Sequence, residues 1–252
     1  MSTDSYLRSL RIQPSRIALT LVISVVAAAL STACGPDKPK LKTVCGVVVD
    51  PTSYAKNYEI DRRIEGELIG VLTKHECDRA VIGAVTGAFD TSPCLAASMQ
   101  VEPTRPGGPA QISSERTQLQ KKAVAAARER MTCAKKDQSG SDVVGALRGV
   151  SQNMRQELDN GDRPVLLVFS DLVQNSGNIR LYQDREELVT SQGRAAIVAK
   201  IRRIGLPDLH GFTVQVFGFG ARFVDDADSA ANFRTLWEDV FRVSGNPQWI
   251  PA

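Results

Sequence analysis

The chain has 252 residues, 42% hydrophobic and 23% charged, with a formal net charge of +3; this suits one full domain with a tail. Aromatics make up 6%, and no basic cluster is interleaved with aromatic platforms, so the footprint of a nucleic-acid-binding protein is missing. The densest basic runs, Lys38 to Lys42 and Ala199 to Arg203, read as a solvated linker and the polar side of a helix.

Met1 to Arg16 is polar and carries Arg8, Arg11 and Arg16, and Ile17 to Ala33 then has no charge. A basic stretch, an apolar stretch and small residues before a break form the layout of an export signal. A span of this length is also at the lower limit for a membrane anchor. Ser31-Thr32-Ala33-Cys34 resembles a bacterial lipoprotein lipobox, which implies lipidation at Cys34. Three outcomes stay open: a lipoprotein acylated at Cys34, an uncleaved anchor, or a secreted protein. Residues 1–35 are therefore read as signal or anchor, 36–42 as a Pro/Lys linker and 43–252 as the folded domain. The expected location is the cell membrane, on its extracytoplasmic side.

Val44 to Val49 is a continuous apolar run that suits a central parallel strand. Tyr54 to Lys74 follows as an amphipathic helix, with Ile60, Ile64, Leu68 and Leu72 at helical spacing. Arg79 to Val85 is a second strand. Leu95 to Val101 is a third, and its short connection allows only an antiparallel partner. Glu102 to Ala110 is a Pro/Gly-rich loop. Ser113 to Cys133 and Asp142 to Leu158 are helices. Val165 to Phe169 is another apolar strand, Glu186 to Ile204 a helix stopped by Gly205, Phe212 to Phe217 a strand, and Ala227 to Ser244 a last helix. Strands alternating with helices predict a doubly wound α/β fold. Its sheet should be mostly parallel with one antiparallel edge strand, and helices should cover both faces.

Apart from Cys34, the cysteines are Cys45, Cys77, Cys94 and Cys133. An even number in an exported chain permits two disulfides in three connectivities. The position of Cys45 inside an apolar strand suits a buried thiol, and Cys77 to Cys133 is the favoured bridge between element ends. No Cys/His spacing points to zinc.

In open α/β sheets, ligands bind beyond the carboxyl ends of the strands. Asp50-Pro51-Thr52-Ser53-Tyr54 follows the first strand, Ser170-Asp171 follows the Val165 strand, and Ser139-Gly140-Ser141-Asp142 opens a helix. Two carboxylates and several hydroxyls can converge there. Hard oxygen ligands of this kind suit Mg²⁺.

This pattern resembles the von Willebrand factor A domain and its metal-ion-dependent adhesion site. In that family, Asp-x-Ser-x-Ser follows the first strand, a Thr lies in a later loop, and a Thr-Asp-Gly segment follows the fourth strand. Asp50 and Thr52 match the opening motif, with Ser53 as a substitute hydroxyl. Ser141, in SGSDVVGALRGV, is similar to the loop Thr, and Asp171, in VLLVFSDLVQNSG, to the later Asp. Tyr54 stands where the family has its second Ser, and Leu172 where it has Gly. The resemblance implies a metal set of Asp50, Thr52, Ser53, Ser141 and Asp171 holding Mg²⁺. It also implies divalent-cation-dependent binding of a protein partner, in an adhesion or scaffold role without catalysis.

Each residue also has a plainer role. Asp50 can cap the following helix, Thr52 and Ser53 can act as caps, Asp142 suits a helix N-terminus, and Asp171 can simply end a strand. A metal-free structural envelope domain is the outcome if they do. A haloacid-dehalogenase-type phosphatase is a further alternative, with Asp50 as nucleophile, Ser170 on phosphate and Asp225 or Asp226 on metal. That chemistry wants a second Asp where Thr52 stands. His75 and His210 read as surface histidines. Gly218-Phe219-Gly220 lacks the third glycine of a dinucleotide fingerprint.

Overall fold

The computed structural model describes residues 41–52, 59–137, 140–223, 225–246 and 248–251. The expectations placed on the export segment, on Cys34, on most of the linker, and on Ser53 and Tyr54 lie outside these residues.

Strand β1 (Thr43–Val49) is buried along its whole length. An apolar, largely β-branched run is what a strand paired on both sides and covered on both faces requires. Helix α1 (Ile60–Lys74) turns Ile60, Ile64, Leu68 and Leu72 inward. It returns the chain to β2 (Arg79–Ala84), which pairs with β1 in parallel. β3 (Ala97–Gln100) then runs antiparallel to β2, as its short connection requires. α2 (Pro109–Lys136) and α3 (Val143–Glu157) carry the chain back across the sheet to β4 (Arg163–Phe169), on the other side of β1.

A short hairpin of β5 (Asn175–Ser176) and β6 (Ile179–Arg180) comes next. α4 (Ser191–Ile204) leads to β7 (Thr213–Phe217), and α5 (Ala227–Val243) to β8 (Trp249–Pro251). The sheet order is β3-β2-β1-β4-β7-β8, all parallel except β3. Side chains of α1 and α2 build the core on one face, and those of α3, α4 and α5 build it on the other. The molecule is therefore a doubly wound α/β fold, as the sequence pattern predicts.

Several boundaries differ from the expected ones. α2 starts at Pro109, not Ser113, because proline at the first helical position has no N–H to satisfy and holds a helical φ. The expected helix from Glu186 is interrupted: Arg185–Val189 is a 3₁₀ turn, and Thr190 caps α4 by accepting from the Gly193 N–H. β8 and the hairpin had no clear signal in the sequence. β8 is held by packing, since Trp249 meets Phe219 and Phe241 with ring centroids 4.8 and 5.2 Å apart.

The disulfides correct the expected pairing. Cys45 joins Cys77, and Cys94 joins Cys133. Cys45 is not a free thiol, because the end of α1 brings Cys77 alongside β1, and Cys77 N–H bonds to Leu72 O there. Cys133 is instead reached by Cys94 on the loop before β3. Disulfides are the chemistry of exported domains in oxidising compartments. Among the described residues, no helix is long and apolar enough to cross a membrane.

Candidate functional site

The chain leaves β1 for β2 on one side and later enters β4 on the other. The β1/β4 boundary is therefore the switch point, where open α/β sheets form their binding crevice. Asp50 follows β1, and Ser170 and Asp171 follow β4. Asp50, Ser141 and Asp171 are all buried, being 1%, 3% and 2% exposed. Thr52 is half-buried.

Backbone hydrogen bonds link the surrounding tips into a ring. Asp50 N–H donates to Phe169 O at 2.9 Å, and Val85 N–H to Val49 O at 2.8 Å. Asp142 N–H donates to Thr86 O at 2.6 Å, and Ser141 and Asn175 exchange bonds of 2.8 and 2.9 Å. The tips of β1, β2 and β4 and the loop before α3 are thereby tied together. Gly140 is required in that loop, since a Cβ there would strike the Asn175 carbonyl.

Within the ring, Asp50 accepts from Ser170 Oγ at 2.6 Å and from Thr52 N–H at 3.1 Å. Its side chain is thus used on β4 and on its own turn, and α1 begins at Ile60 behind Glu59 instead. The plainer alternative, a helix cap at Asp50, gives way to this cross-strand bond. Asp171 Oδ1 accepts Val173 N–H at 2.9 Å, while its Oδ2 is buried without a partner. Ser141 Oγ is buried and unpartnered too.

Burial raises the Asp50 pKa, partly offset by the Ser170 and Thr52 hydrogen bonds. The Asp171 carboxyl is pushed up to about 7 by burial and then by the charge of Asp50, while Val173 N–H and Arg222 pull it down. Two buried carboxylates that resist joint ionisation define a place where positive charge would be stabilised.

Supporting residues fix this rim. Asp142 caps α3, accepting Gly145 N–H at 3.0 Å and Gln174 Nε2 at 3.1 Å. Gln174 is fully buried, and its Oε1 accepts Val144 N–H at 3.0 Å. Leu172 has φ 62°, a left-handed conformation that suits glycine, and its side chain is fully buried. Its N–H bonds to Ser170 Oγ at 2.9 Å. The strain at Leu172 is therefore held by packing and by that bond.

Among the described residues, no group of three or more His, Cys, Asp or Glu could hold a metal. The rim set is instead two carboxylates with hydroxyls. Such a set fits a small hard cation that keeps several waters and takes few protein carboxylates, and the orphaned Asp171 Oδ2 and Ser141 Oγ are the atoms such an ion would satisfy.

Asp226, one of the two candidate metal ligands of the phosphatase alternative, caps α5 by accepting from Ser229 N–H and Oγ at 3.0 and 2.6 Å. His75 is half-buried against Gln215, 3.0 Å away, at the opposite end of the sheet, and His210 is exposed beside Asp208. One rim residue was missed. Thr86 stands two residues beyond β2, 2% exposed, with its hydroxyl unpartnered. The strand-end rule that singles out Asp50 applies to Thr86 as well.

No protein-family model matches the chain, and no curated protein matches it. Among solved structures it is similar to the pilus adhesin SpaC from Lactobacillus rhamnosus GG in an open conformation. The TM-score there is 0.40 at 10% identity, covering 85% of this chain and 28% of that one. It is also similar to proximal thread matrix protein 1 from the mussel byssus, with a TM-score of 0.36 at 10% identity, covering 81% of this chain and 48% of that one. The chain thus spans less than half the length of either protein. Likeness at this level defines neither a family nor an activity.

Proposed function

We propose that residues 43–252 form a von Willebrand factor A-like protein-binding module of the cell envelope, tethered through the N-terminal segment. It acts in adhesion or as a scaffold, without catalysis, and grips an acidic group of a protein partner through Mg²⁺. The cation is held by Asp50, Ser141 and Asp171, with Thr52 and Ser53 contributing from the turn after β1. The observation that carries this reading is the buried Asp50/Asp171 pair at the β1/β4 switch point, with Asp171 Oδ2 and Ser141 Oγ left without partners. Each such orphan costs about 1–3 kcal/mol, and a cation would remove that cost. The two disulfides agree with an exported location.

Thermal unfolding with and without Mg²⁺ or Mn²⁺ tests the reading. Cation at about a hundredfold over its Kd should raise Tm by about 5–10 °C. Asp50→Ala and Asp171→Ala should each abolish the gain. An unchanged melting temperature, with no heat on calorimetric titration, would leave a metal-free structural domain instead.

A further inference from the structure

We infer that the hydroxyl of Thr86, two residues beyond β2, belongs to the cation's coordination shell. The inference rests on the cation-binding reading above and extends it to a residue outside the resembled motif.

Three observations support it. Thr86 Oγ1 is buried, on a residue 2% exposed, and has no hydrogen-bond partner. A hydroxyl in a protein interior normally finds one, and a bound cation or an ordered water would supply it here. Thr86 is also a member of the hydrogen-bonded ring at the rim. Val49 pairs with Ala84 across β1 and β2, so the chain beyond β2 rises beside Asp50. Thr86 O then accepts the N–H of Asp142, the residue next to Ser141. The following carbonyl, Gly87 O, accepts Ser176 Oγ at 2.8 Å, fixing the same turn against the loop beyond β4.

The remaining observation is how the orphans are distributed. Thr86 Oγ1, Ser141 Oγ and Asp171 Oδ2 come from three different segments, and all three segments meet in this ring. Among the described residues, the other unpartnered uncharged side-chain groups, Trp237 Nε1 and Ser244 Oγ, belong to α5 and its C-terminal end. Mg²⁺ demands near-octahedral coordination by oxygen. Asp50, Ser141, Asp171 and one hydroxyl of the turn after β1 fill four of the six octahedral places, leaving two for Thr86 and a partner's carboxylate.

Isothermal titration of the protein with Mn²⁺ and Mg²⁺ tests the inference, with Thr86→Val and Thr86→Ser beside the wild type. Thr86→Val should weaken cation binding about tenfold to a hundredfold, and Thr86→Ser should stay near wild type. In chelator, Thr86→Val should melt at or above the wild-type temperature, because an isosteric apolar group replaces an unsatisfied hydroxyl. Wild-type affinity in Thr86→Val, or equal loss in Thr86→Ser, overturns the inference and leaves the cation site standing. Destabilised or unfolded Thr86→Val in chelator also overturns it, because the hydroxyl would then have a structural partner. If the wild type binds neither cation, the inference and the function proposed above fall together.

Discussion

Ser170 Oγ donates a 2.6 Å hydrogen bond to Asp50 Oδ2 across 120 residues of sequence, and it also accepts the N–H of Leu172. One hydroxyl thus fixes the carboxylate at the tip of β1 and the left-handed turn that presents Asp171. Removing it should disturb both. Ser170→Ala should destabilise the domain by about 1–3 kcal/mol, because a buried carboxylate loses a hydrogen bond. Denaturant midpoints with an unchanged m-value would check this.

The two rim acids make stability depend on pH. Asp171 holds its proton more tightly in the folded chain, at about 7, than in an unfolded chain, where the ordinary value is 3.8. Its contribution to stability is therefore fully present below about pH 4 and is lost as pH rises to about 7. Asp50 shifts in the same direction, through burial. In chelator, wild-type stability should fall across this window relative to Asp171→Asn, whose profile should be flatter. Cation binding should strengthen over the same window as protons leave, which melting curves at several pH values with and without Mg²⁺ would show.

Asp142 holds the loop bearing Ser141. Its carboxylate accepts Gly145 N–H, Gln174 Nε2 and, at 3.3 Å, Phe89 N–H. Asp142→Ala should cost about 2 kcal/mol through the lost cap and the unpaired buried amide. Asp142→Asn, which can still cap, should cost less in the same denaturant titration.

Strand β1 has little spare room at Gly46. A Cβ there would meet Met154, Leu166 and Val150 side chains on the face that α3 covers. Gly46→Ala should destabilise by about 1–3 kcal/mol through overpacking. A fall in Tm without loss of secondary structure by circular dichroism is the expected signature.

Much of this fold is legible in the chain because the two short, β-branched-rich apolar runs, Val44 to Val49 and Val165 to Phe169, suit strands covered on both faces. Helical spacing of Ile60, Ile64, Leu68 and Leu72 fixes the layer beside them. β8 is not legible because its three residues carry no alternating pattern; its place is set by packing on the rings of Phe219 and Phe241. Disulfide partners were illegible for a similar reason, since pairing depends on where α1 ends against β1. At the rim, Asp50, Ser141 and Asp171 stand out by type and position. Thr86 shares the strand-end position but not the telling residue type: burial and the missing partner are what set it apart from any threonine in a turn.

The four bridged cysteines all lie between Cys45 and Cys133, so covalent bracing is confined to the first half of the domain. From α3 onward, cohesion comes from hydrogen bonds and packing without a disulfide among the described residues, above all from the ladder of rings running from Phe223 through Phe233 and Trp237 to Phe241 and Trp249. Heat and reducing agent should therefore attack opposite sides of the molecule. A ligand lodged between the tips of β1 and β4 would bridge the braced half and the unbraced one, and would stiffen the seam where they meet.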